Sequence, residues 1–262
     1  MRPKYLASRI ISEAISLSNF TGNYKKGLRI LSYHSIGGSA FEDKLGIYSL
    51  SIDKFLQHLN ILETIGISAI SPLNITDSEF SCALTFDDGY SDSLYVVAPL
   101  LSNRNIPFTV FAVANFVEKK RDGFLSPNEL KELSRFPGVT IGSHGLTHSN
   151  LRLCDNKTLK AELEDSKHYI EDLIGMPVTE FSYPYGMTDM RVRDALQNAG
   201  YEFGGCSRFD INNHGRDSLM MNRCEISRND CNRVLEQKLR GDWDWYRWRN
   251  IDPLKLQYKI NL

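Results

Sequence analysis

The stretch Leu84-Thr85-Phe86-Asp87-Asp88-Gly89-Tyr90 ends an apolar, strand-like run in two acidic residues and a glycine. A second such run, Val139–Ser143, leads into His144-Gly145-Leu146-Thr147-His148, which carries two histidines four positions apart. Because functional side chains collect where the strands of an α/β fold end, we expect the two groups to meet at one rim. Adjacent side chains on a regular strand point to opposite faces, so the two acids share a site only where the strand breaks, and Gly89 permits that break.

These side chains form a ligand set with a defined chemistry. Two imidazoles and one carboxylate suit zinc or a similar divalent ion and leave coordination positions for water and a substrate oxygen. Such an ion lowers the pKa of water and polarises a carbonyl group, and the second carboxylate is then available as a base. Taken separately, an Asp-Asp-Gly triplet also fits a solvated turn, and a His-x-x-x-His pair also fits a helix surface. Both groups together, each after a β-like run, favour a metal site.

Residues 85–89 and 144–148 resemble the first two motifs of the polysaccharide deacetylases, the NodB-homology or carbohydrate esterase family 4 enzymes. Phe181-Ser182-Tyr183-Pro184-Tyr185-Gly186 resembles the third motif, and the order and spacing fit over residues 28–230. The resemblance implies an α/β fold, a distorted (β/α) barrel of the NodB type with about seven parallel strands. It also implies metal-dependent removal of an N-acetyl or O-acetyl group from a glycan.

The resemblance also assigns roles by position in the motifs. It makes Asp87 the general base and Asp88, His144 and His148 the ligands of one divalent metal, with zinc expected and cobalt, nickel or manganese as alternatives. Tyr185 would offer its backbone N–H to the tetrahedral oxyanion, which preorganised donors stabilise as it forms.

Two features depart from the family pattern. Residues 182–185 read Ser-Tyr-Pro-Tyr where many members have Arg-Pro-Pro-Tyr, so the arginine that orients the base is missing there, and Arg223 on a later predicted strand is a candidate replacement. The Leu-x-His motif, whose histidine protonates the leaving amine, has no clear counterpart after residue 215. The general acid is therefore unassigned. His214 lies in a polar loop that either reaches the barrel mouth or is only exposed to solvent, and a water molecule at the metal is another candidate donor.

Three further residues are predicted substrate contacts. Tyr183 and Pro184 belong to the third motif, and His34 follows the first predicted strand at the rim shared with the acids and histidines. His34 fits equally well a buried, hydrogen-bonded core histidine.

Composition agrees with a single enzyme domain over residues 1–262. The chain is 42% hydrophobic and carries a net charge of −1 with acids and bases interspersed, which gives no reason to expect nucleic-acid binding. Five cysteines form no Cys-x-x-Cys pair and favour reduced thiols. Residues 1–28 lack a recognisable secretory signal, and no segment reaches the ~20 apolar residues of a membrane span. We therefore expect a cytoplasmic protein, or one at the inner face of the membrane, with no obligate protein partner.

Strand-like and helix-like runs alternate along the chain, as a parallel barrel requires. The predicted strands are 28–33, 68–70, 82–86, 108–113, 139–143, 180–183, 203–206 and 220–226. The predicted helices are 52–65, 92–103, 126–134, 157–174 and 190–199, three of which end at Gly66, Gly175 and Gly200.

Two flanking segments lie outside the barrel pattern. Residues 1–27 are predicted to form an N-terminal helical extension, whose apolar side either docks on the barrel or lies on a membrane surface; the residues at helical spacing are Leu6, Ile10, Ile11, Ala14, Ile15 and Leu17. Residues 232–262, a predicted C-terminal helix and tail, hold all three tryptophans. These either pack on the barrel or form a platform that faces a glycan or a membrane.

The sequence thus predicts a metal-dependent hydrolase that removes N-acetyl, or alternatively O-acetyl, groups from a glycan. The expected substrate is the N-acetylhexosamine of a bacterial surface polysaccharide or of its lipid-linked precursor. The first alternative is a catalytically silent glycan-binding or regulatory module on the same fold, which the missing arginine and acid histidine motivate. The second is another metal-dependent hydrolase acting outside carbohydrate, because a fold does not fix a function.

Overall fold

Parallel strands form the centre of the computed structural model, which describes residues 3–18, 23–40, 43, 45–66, 68–75 and 77–249. In chain order they are β1 (Gly27–Tyr33), β2 (Ser35–Ile36), β3 (Ser49–Leu50), β4 (Ser68–Ala69), β5 (Phe80–Phe86), β6 (Phe108–Ala112), β7 (Val139–Ser143), β8 (Glu180–Ser182), β9 (Phe203–Cys206), β10 (Met221–Asn222) and β11 (Cys224–Glu225). The main sheet runs β10-β9-β8-β7-β6-β5-β1-β11, with β4 beside β5, and all its pairs are parallel. β2 and β3, which the sequence did not predict, pair separately.

The last predicted strand, residues 220–226, closes this sheet by dividing in two. Met221 pairs with Gly205 of β9, whereas Cys224 pairs with Leu31 of β1. Arg223 lies between the halves, so one short stretch joins both edges of the sheet. Counted around the ring, β1, β5 to β9 and the divided strand make seven, and the predicted distorted barrel of about seven parallel strands is confirmed.

Helices surround the strands. They are α1 (Pro3–Ser18), α2 (Ile52–Thr64), α3 (Ala98–Ser102), α4 (Ala114–Glu118), α5 (Pro127–Leu133), α6 (Asn156–Ile174), α7 (Met190–Asn198) and α8 (Asn232–Arg240). The five predicted barrel helices are confirmed within a few residues, although the predicted helix over 92–103 begins as a π-helical turn, Ser93–Val97, before α3. α4 was not predicted, because five residues are too few to display a helical period. Gly175 ends α6 with a φ of +72°, the conformation expected of a C-cap glycine.

Alternation along the strands divides the core into two layers. One set of side chains fills the barrel interior and comprises Leu28, Ile30, Ala83, Phe111, Phe203 and Met221. The other set packs outward against the helices and includes Leu31, Leu84 and Val110. Because odd and even positions alternate, the inward column of β5 continues from Ala83 through Thr85 to Asp87, which brings a carboxylate to the carboxyl end of the barrel.

Glu180 is a buried acid inside the barrel, and its carboxylate gives a prediction for stability. It is 1% exposed and accepts a hydrogen bond from Thr109 Oγ1 at 2.9 Å. Burial raises its pKa to about 7, against the smaller opposing effect of that hydrogen bond. Since the pKa in the folded state lies above the ordinary value of 4.5, the folded protein binds more protons than the unfolded chain between these values. The stability that this group contributes is complete below about pH 4.5 and is lost as the pH rises through about 7.

We therefore expect Glu180→Gln to raise the free energy of unfolding by about 1–3 kcal/mol at about pH 8 and to leave it nearly unchanged at about pH 4. Urea unfolding at the two pH values measures this difference. Glu164→Gln, on the outer surface of α6, is the matched control and should change neither value. Equal pH dependence in the wild type and Glu180→Gln would contradict the raised pKa.

The predicted N-terminal helix is present as α1, but its polar side faces the protein. Ser8 and Ser12 are 6% and 0% exposed, whereas Ile10 and Leu17 are 63% and 67% exposed. The helix contacts α8 through hydrogen bonds such as that from Gln237 to Glu13. α1 is therefore docked on the rest of the protein, which is one of the two predicted arrangements, but the contact is made by its polar side and not by its apolar side. None of the described helices is long and apolar enough to cross a membrane.

The C-terminal tryptophans pack against the rest of the protein where their side chains are described. Trp243 is 2% exposed within the core, and Trp245 Nε1 donates a hydrogen bond to Ser12 Oγ at 2.9 Å. Trp243 and Trp245 therefore pack on the protein, as one of the two predictions stated, and do not form a platform that faces a glycan or a membrane. The side chain of Trp248 and residues 250–262 lie outside the described part of the chain.

Candidate active site

Asp87 and Asp88 lie where β5 turns away from the barrel. The backbone of Asp88 has a φ of +74° and that of Gly89 a φ of +75°, so the strand breaks directly after Asp87. A Cβ atom at Gly89 would lie 3.1 Å from Ala112 Cα, which excludes a larger residue without a shift. This break turns two consecutive carboxylates toward one rim. The sequence predicted that the two acids could share a site only at such a break.

Asp87 is held by a buried, two-pronged interaction with Arg223. The guanidinium Nη1 and Nη2 each donate to one carboxylate oxygen at 2.8 Å, and Ser32 Oγ donates to Oδ2 at 3.2 Å. Asp87 is 4% exposed and Arg223 is fully buried. Burial alone would raise the pKa of Asp87, but the charge of Arg223, then that of His144, outweighs it and holds the pKa well below its usual range. The carboxylate is therefore ionised and fixed in orientation.

Small neighbours make room for Arg223 in the position it occupies. Nη2 also donates to Ser182 Oγ at 2.8 Å, and Nη1 donates to Thr85 Oγ1 at 3.3 Å. A Cβ atom at Gly205 would come 2.8 Å from Nε. The guanidinium thus reaches Asp87 from the last strand, while Ser182 of the third motif supplies only a hydroxyl.

Asp88, His144 and His148 bring their ligand atoms together beside Asp87. Asp88 Oδ1 lies 3.4 Å from Nε2 of both histidines, and all three ligand atoms lie within 4.8 Å of one another. Ligands about 2.1 Å from a tetrahedral ion lie about 3.4 Å apart, so the spacing fits a zinc-sized divalent ion. His144 is buried and Asp88 and His148 are half-buried, which leaves one side of the group open. The histidines stand at a strand end and in the loop that follows it, not on a helix.

The hydrogen bond of His144 fixes which ring nitrogen faces the group. Nδ1 lies 2.7 Å from the backbone carbonyl oxygen of Ser182, which only accepts, so Nδ1 carries the proton. When the ring is neutral, this tautomer directs the Nε2 lone pair toward Asp88, the arrangement that metal-binding histidines use. Burial alone would lower the pKa of His144, but Asp88 and then Asp87 outweigh it and raise that pKa. Burial, and then His144, lowers the pKa of His148 to about 4, so this ring is neutral at physiological pH.

Glu162 of α6 shapes the loop between the two histidines, a role that sequence reasoning missed. Its Oε2 accepts the backbone N–H groups of Leu146 and Thr147 at 2.8 and 3.0 Å, and the Thr147 hydroxyl donates to Oε1. Glu162 is 2% exposed. One buried carboxylate thus satisfies several donors of a loop that has no regular structure. A glutamate inside an amphipathic helix gives no sequence signal for this contact.

His34 stands at the rim, immediately after β1. Its ring packs against Tyr48 with the centroids 4.5 Å apart, and its electrostatic effect reaches Asp87, Asp88 and His148. Its Nδ1 is buried and has no hydrogen-bond partner among the residues that the structure describes. His34 therefore lies at the rim, which is one of the two predicted arrangements. The other, a buried core histidine with its hydrogen bonds made, does not describe it.

The third motif divides between the core and the rim. Tyr183 is fully buried, and its hydroxyl donates to the Leu219 carbonyl at 2.7 Å, while Pro184 is also buried. The prediction that these two side chains contact substrate is wrong, because both belong to the packing beneath the site. Tyr185 is 60% exposed, has a φ of +61°, and places its ring 4.8 Å from that of His148.

A pocket of about 170 Å³ opens beside the ligand group. Its lining adds Tyr90, Phe116, Arg121, Phe124 and Thr147 to Asp88, His148 and Tyr185. The guanidinium carbon of Arg121 lies 4.4 Å from the centre of the Phe116 ring and 5.6 Å from that of Phe124. Sequence analysis missed Phe116 and Arg121 because they come from α4 and the segment after it, where no motif marks them.

His214 lies away from this rim. Its backbone N–H donates to Asp77, and the neighbouring Asn212 pairs with Leu28 near the start of β1. The starts of parallel strands lie at the opposite end of the barrel from the carboxylates. The segment between β9 and β10 has to return to that end of the barrel, because β10 is parallel to β9 and therefore begins where β9 begins. The suggestion that His214 reaches the barrel mouth is therefore wrong.

Comparisons with known proteins agree with this fold. Residues 74–204, half of the chain, match the model of the family described as polysaccharide deacetylase. The Bacillus subtilis (strain 168) protein named "Putative polysaccharide deacetylase YxkH" is 28% identical over 187 residues, which cover 68% of this chain and 63% of that protein. The match thus spans less than two thirds of the relative's length. Deacetylase PplD of Streptococcus pyogenes, solved with acetate, superposes with a TM-score of 0.72 at 22% identity, covering 81% of this chain and 98% of PplD. IcaB from Ammonifex degensii gives a TM-score of 0.68 at 22% identity over 82% and 98% of the two chains.

Proposed function

The chain belongs to the polysaccharide deacetylase family, and we propose that it is a metal-dependent hydrolase that removes acetyl groups from a glycan. The observation that carries this proposal is the juxtaposition of Asp87, buried and clamped by Arg223, with the ligand group of Asp88, His144 and His148. An inactive relative would have no use for a second carboxylate oriented so tightly beside the metal ligands. The open pocket next to them supplies the space for a sugar.

We propose that Asp88, His144 and His148 hold the divalent ion and that zinc is the ion. The spacing of the ligand atoms and the protonation of His144 at Nδ1 support this choice. A divalent ion in this position supplies a Lewis acid for the acetyl carbonyl and a lower pKa for water.

Asp87 acts as the general base in this proposal. It removes a proton from the water that attacks the acetyl carbon, and Arg223 keeps the carboxylate ionised and aimed during the transfer. The backbone N–H of Tyr185 is proposed to donate to the oxygen that gains negative charge, since Tyr185 borders the pocket beside His148. The strained backbone of Tyr185, with its φ of +61°, is consistent with a position fixed for function.

His34 is the proposed donor of a proton to the departing amine. Two of the six histidines belong to the ligand group, His58 is buried beside Tyr33, and His168 and His214 lie elsewhere. His34 alone stands at the rim with a ring nitrogen that lacks a partner among the described residues. It therefore fills the role that the absent Leu-x-His motif leaves open.

We expect His34→Gln to lower kcat for an N-acetylated substrate by about 10²-fold or more, because a general acid contributes 10²–10⁴-fold to the rate. An acetyl ester of a good leaving group, such as 4-nitrophenyl acetate, does not need that proton, and its hydrolysis should change by less than about tenfold. Acetate release measures both reactions. Equal losses on the amide and the ester would exclude His34 as the proton donor.

The proposed substrate is an N-acetylhexosamine unit of a bacterial surface polysaccharide or of its lipid-linked precursor. Tyr185, which lines the pocket and is 60% exposed, supplies an aromatic face of the kind on which sugar rings stack, and Arg121 places a guanidinium group in the same pocket. N-acetyl groups are favoured over O-acetyl groups, because a histidine placed to protonate a leaving amine is needed only for the amide.

Elemental analysis tests the metal site without any assumption about substrate. We expect about one zinc ion per wild-type chain and a loss of at least tenfold in zinc affinity in His144→Ala and in His148→Ala, since each removes one of three protein ligands. His168→Ala, on the exposed side of α6, is the matched control and should retain the ion. Wild-type protein that holds no divalent ion after dialysis against zinc would contradict the site and favour a silent glycan-binding module.

A further inference from the structure

The outward side of α1 is apolar from Leu6 to Leu17. Leu6, Ile10, Ile11 and Leu17 are 44–67% exposed, and Ala14 between them is also exposed. These positions recur every three or four residues, so their side chains form one continuous stripe. A contiguous apolar surface of this kind marks an interaction site, whereas single exposed apolar residues do not.

Polar contacts on the opposite side fix the helix in this orientation. Ser12 is fully buried and accepts a hydrogen bond from Trp245 Nε1 at 2.9 Å. Glu13 accepts from Arg233 Nε at 3.0 Å and from Gln237 Nε2 at 2.6 Å. Turning the isoleucines inward would break these contacts and place them against polar groups of α8. The rest of the protein therefore holds the apolar side of α1 outward.

The charge of this segment indicates which partner it meets. Residues 1–27 carry five basic residues and one acidic residue, although the whole chain carries −1. Lys25 is paired with Asp244 at 2.8 Å, so the positive charge that lipid headgroups would meet comes from Arg2, Lys4, Arg9 and Lys26. The acidic residue, Glu13, is paired with Arg233 on the inward side. The N-terminal segment thus combines an apolar stripe with an excess of positive charge. Anionic lipid headgroups attract the charge, while the apolar side chains enter the boundary between headgroups and acyl chains.

We propose that α1 binds the surface of an anionic lipid bilayer, with Leu6, Ile10, Ile11 and Leu17 in the interface. The helix has 16 residues and a length of about 24 Å, and it contains charged residues, so it lies in the plane of the surface rather than across it. The proposal does not depend on deacetylase activity, because it rests on a different surface of the protein.

Vesicle sedimentation with the chain of residues 1–262 tests the proposal. We expect the wild type to sediment with vesicles of phosphatidylcholine and phosphatidylglycerol, more weakly with phosphatidylcholine alone, and less as the salt concentration rises. The double variant Ile10→Gln/Ile11→Gln should bind the mixed vesicles at least about tenfold more weakly, because it removes two apolar side chains from the stripe. Leu153→Gln is the matched control, since Leu153 is 82% exposed elsewhere on the protein, and it should bind as the wild type does.

Three results would overturn the proposal. Wild-type protein that stays in solution with the mixed vesicles has no affinity for this surface. Equal sedimentation of the double variant and the wild type would place the lipid contact elsewhere. Light scattering that shows a wild-type dimer and a monomeric double variant, with no vesicle binding, would make the stripe a contact between two copies of the chain.

Discussion

Asp87→Asn is expected to lower kcat for acetate release by about 10²–10⁴-fold while the protein still binds its divalent ion. The amide keeps the shape of the carboxylate and its place beside Arg223, but it does not accept the proton of the attacking water. Asp87 is not one of the three proposed ligands, so the metal content should be unchanged. Acetate release from an N-acetylglucosamine oligomer, measured beside elemental analysis of the same sample, separates the two properties.

Asp88→Asn is the matched control for this experiment. It makes the same chemical change one residue later, in a side chain whose Oδ1 lies 3.4 Å from both histidines. We expect it to lose both the ion and the activity, because an amide oxygen is a much weaker zinc ligand than a carboxylate. Unchanged kcat in Asp87→Asn would contradict the role of Asp87 as the general base. Loss of the ion from this variant would instead make Asp87 a metal ligand.

Asp244→Asn is expected to have the largest effect on stability, a loss of about 3–5 kcal/mol in the free energy of unfolding. Asp244 is 4% exposed, and Arg29, which is fully buried, donates to it from Nη1 at 2.7 Å and from Nη2 at 3.2 Å. Lys25 Nζ donates to the same carboxylate at 2.8 Å. Neutralising Asp244 leaves a buried guanidinium without its counter-charge, and the desolvation of that charge is then no longer offset.

The pH dependence of the same pair has a definite sign. Burial alone would raise the pKa of Asp244, but Arg29 and then Lys25 outweigh it, and the pKa is lowered. A lowered pKa stabilises the fold above the ordinary value for an aspartate, about 4, and this contribution is lost as the pH falls through the pKa in the folded state. The wild type and Asp244→Asn should therefore differ most at neutral pH and converge in acid.

Glu63→Gln provides the control for this measurement by urea unfolding. Glu63 pairs with Arg104 at 3.1 Å, but both side chains are partly exposed to solvent, so its neutralisation should change the free energy of unfolding by less than about 1 kcal/mol. Similar small effects in Glu63→Gln and Asp244→Asn would show that water reaches Arg29 in the folded protein and that its burial costs little.

The barrel and most of the proposed site follow from local sequence patterns. A strand that ends in two acids and a glycine defines its own break, and the loop after β7 carries both histidines within five residues. Arg223 was a candidate from the sequence alone because the usual arginine position holds Ser182. Its two-pronged contact with Asp87 is a tertiary fact, since the two residues are 136 positions apart.

The failures of sequence analysis share one physical cause. The third motif reads Tyr-Pro-Tyr, but the pattern does not tell which ring enters the core, and it is Tyr183 that does so while Tyr185 stays at the rim. Glu162 and Arg121 carry no motif, because what they do depends on a loop that packs beside them only in the folded chain.

By itself the sequence determined the alternation of strands and helices, the family, and the set of side chains able to hold a metal. These are local properties, because strand period, glycine turns and motif spacing involve neighbouring residues. Only the tertiary structure decided that the last strand divides at Arg223, that His34 rather than His214 reaches the rim, and that α1 turns its polar side inward. Each of these depends on contacts between distant parts of the chain, where the burial of one group is set by the charge and shape of another.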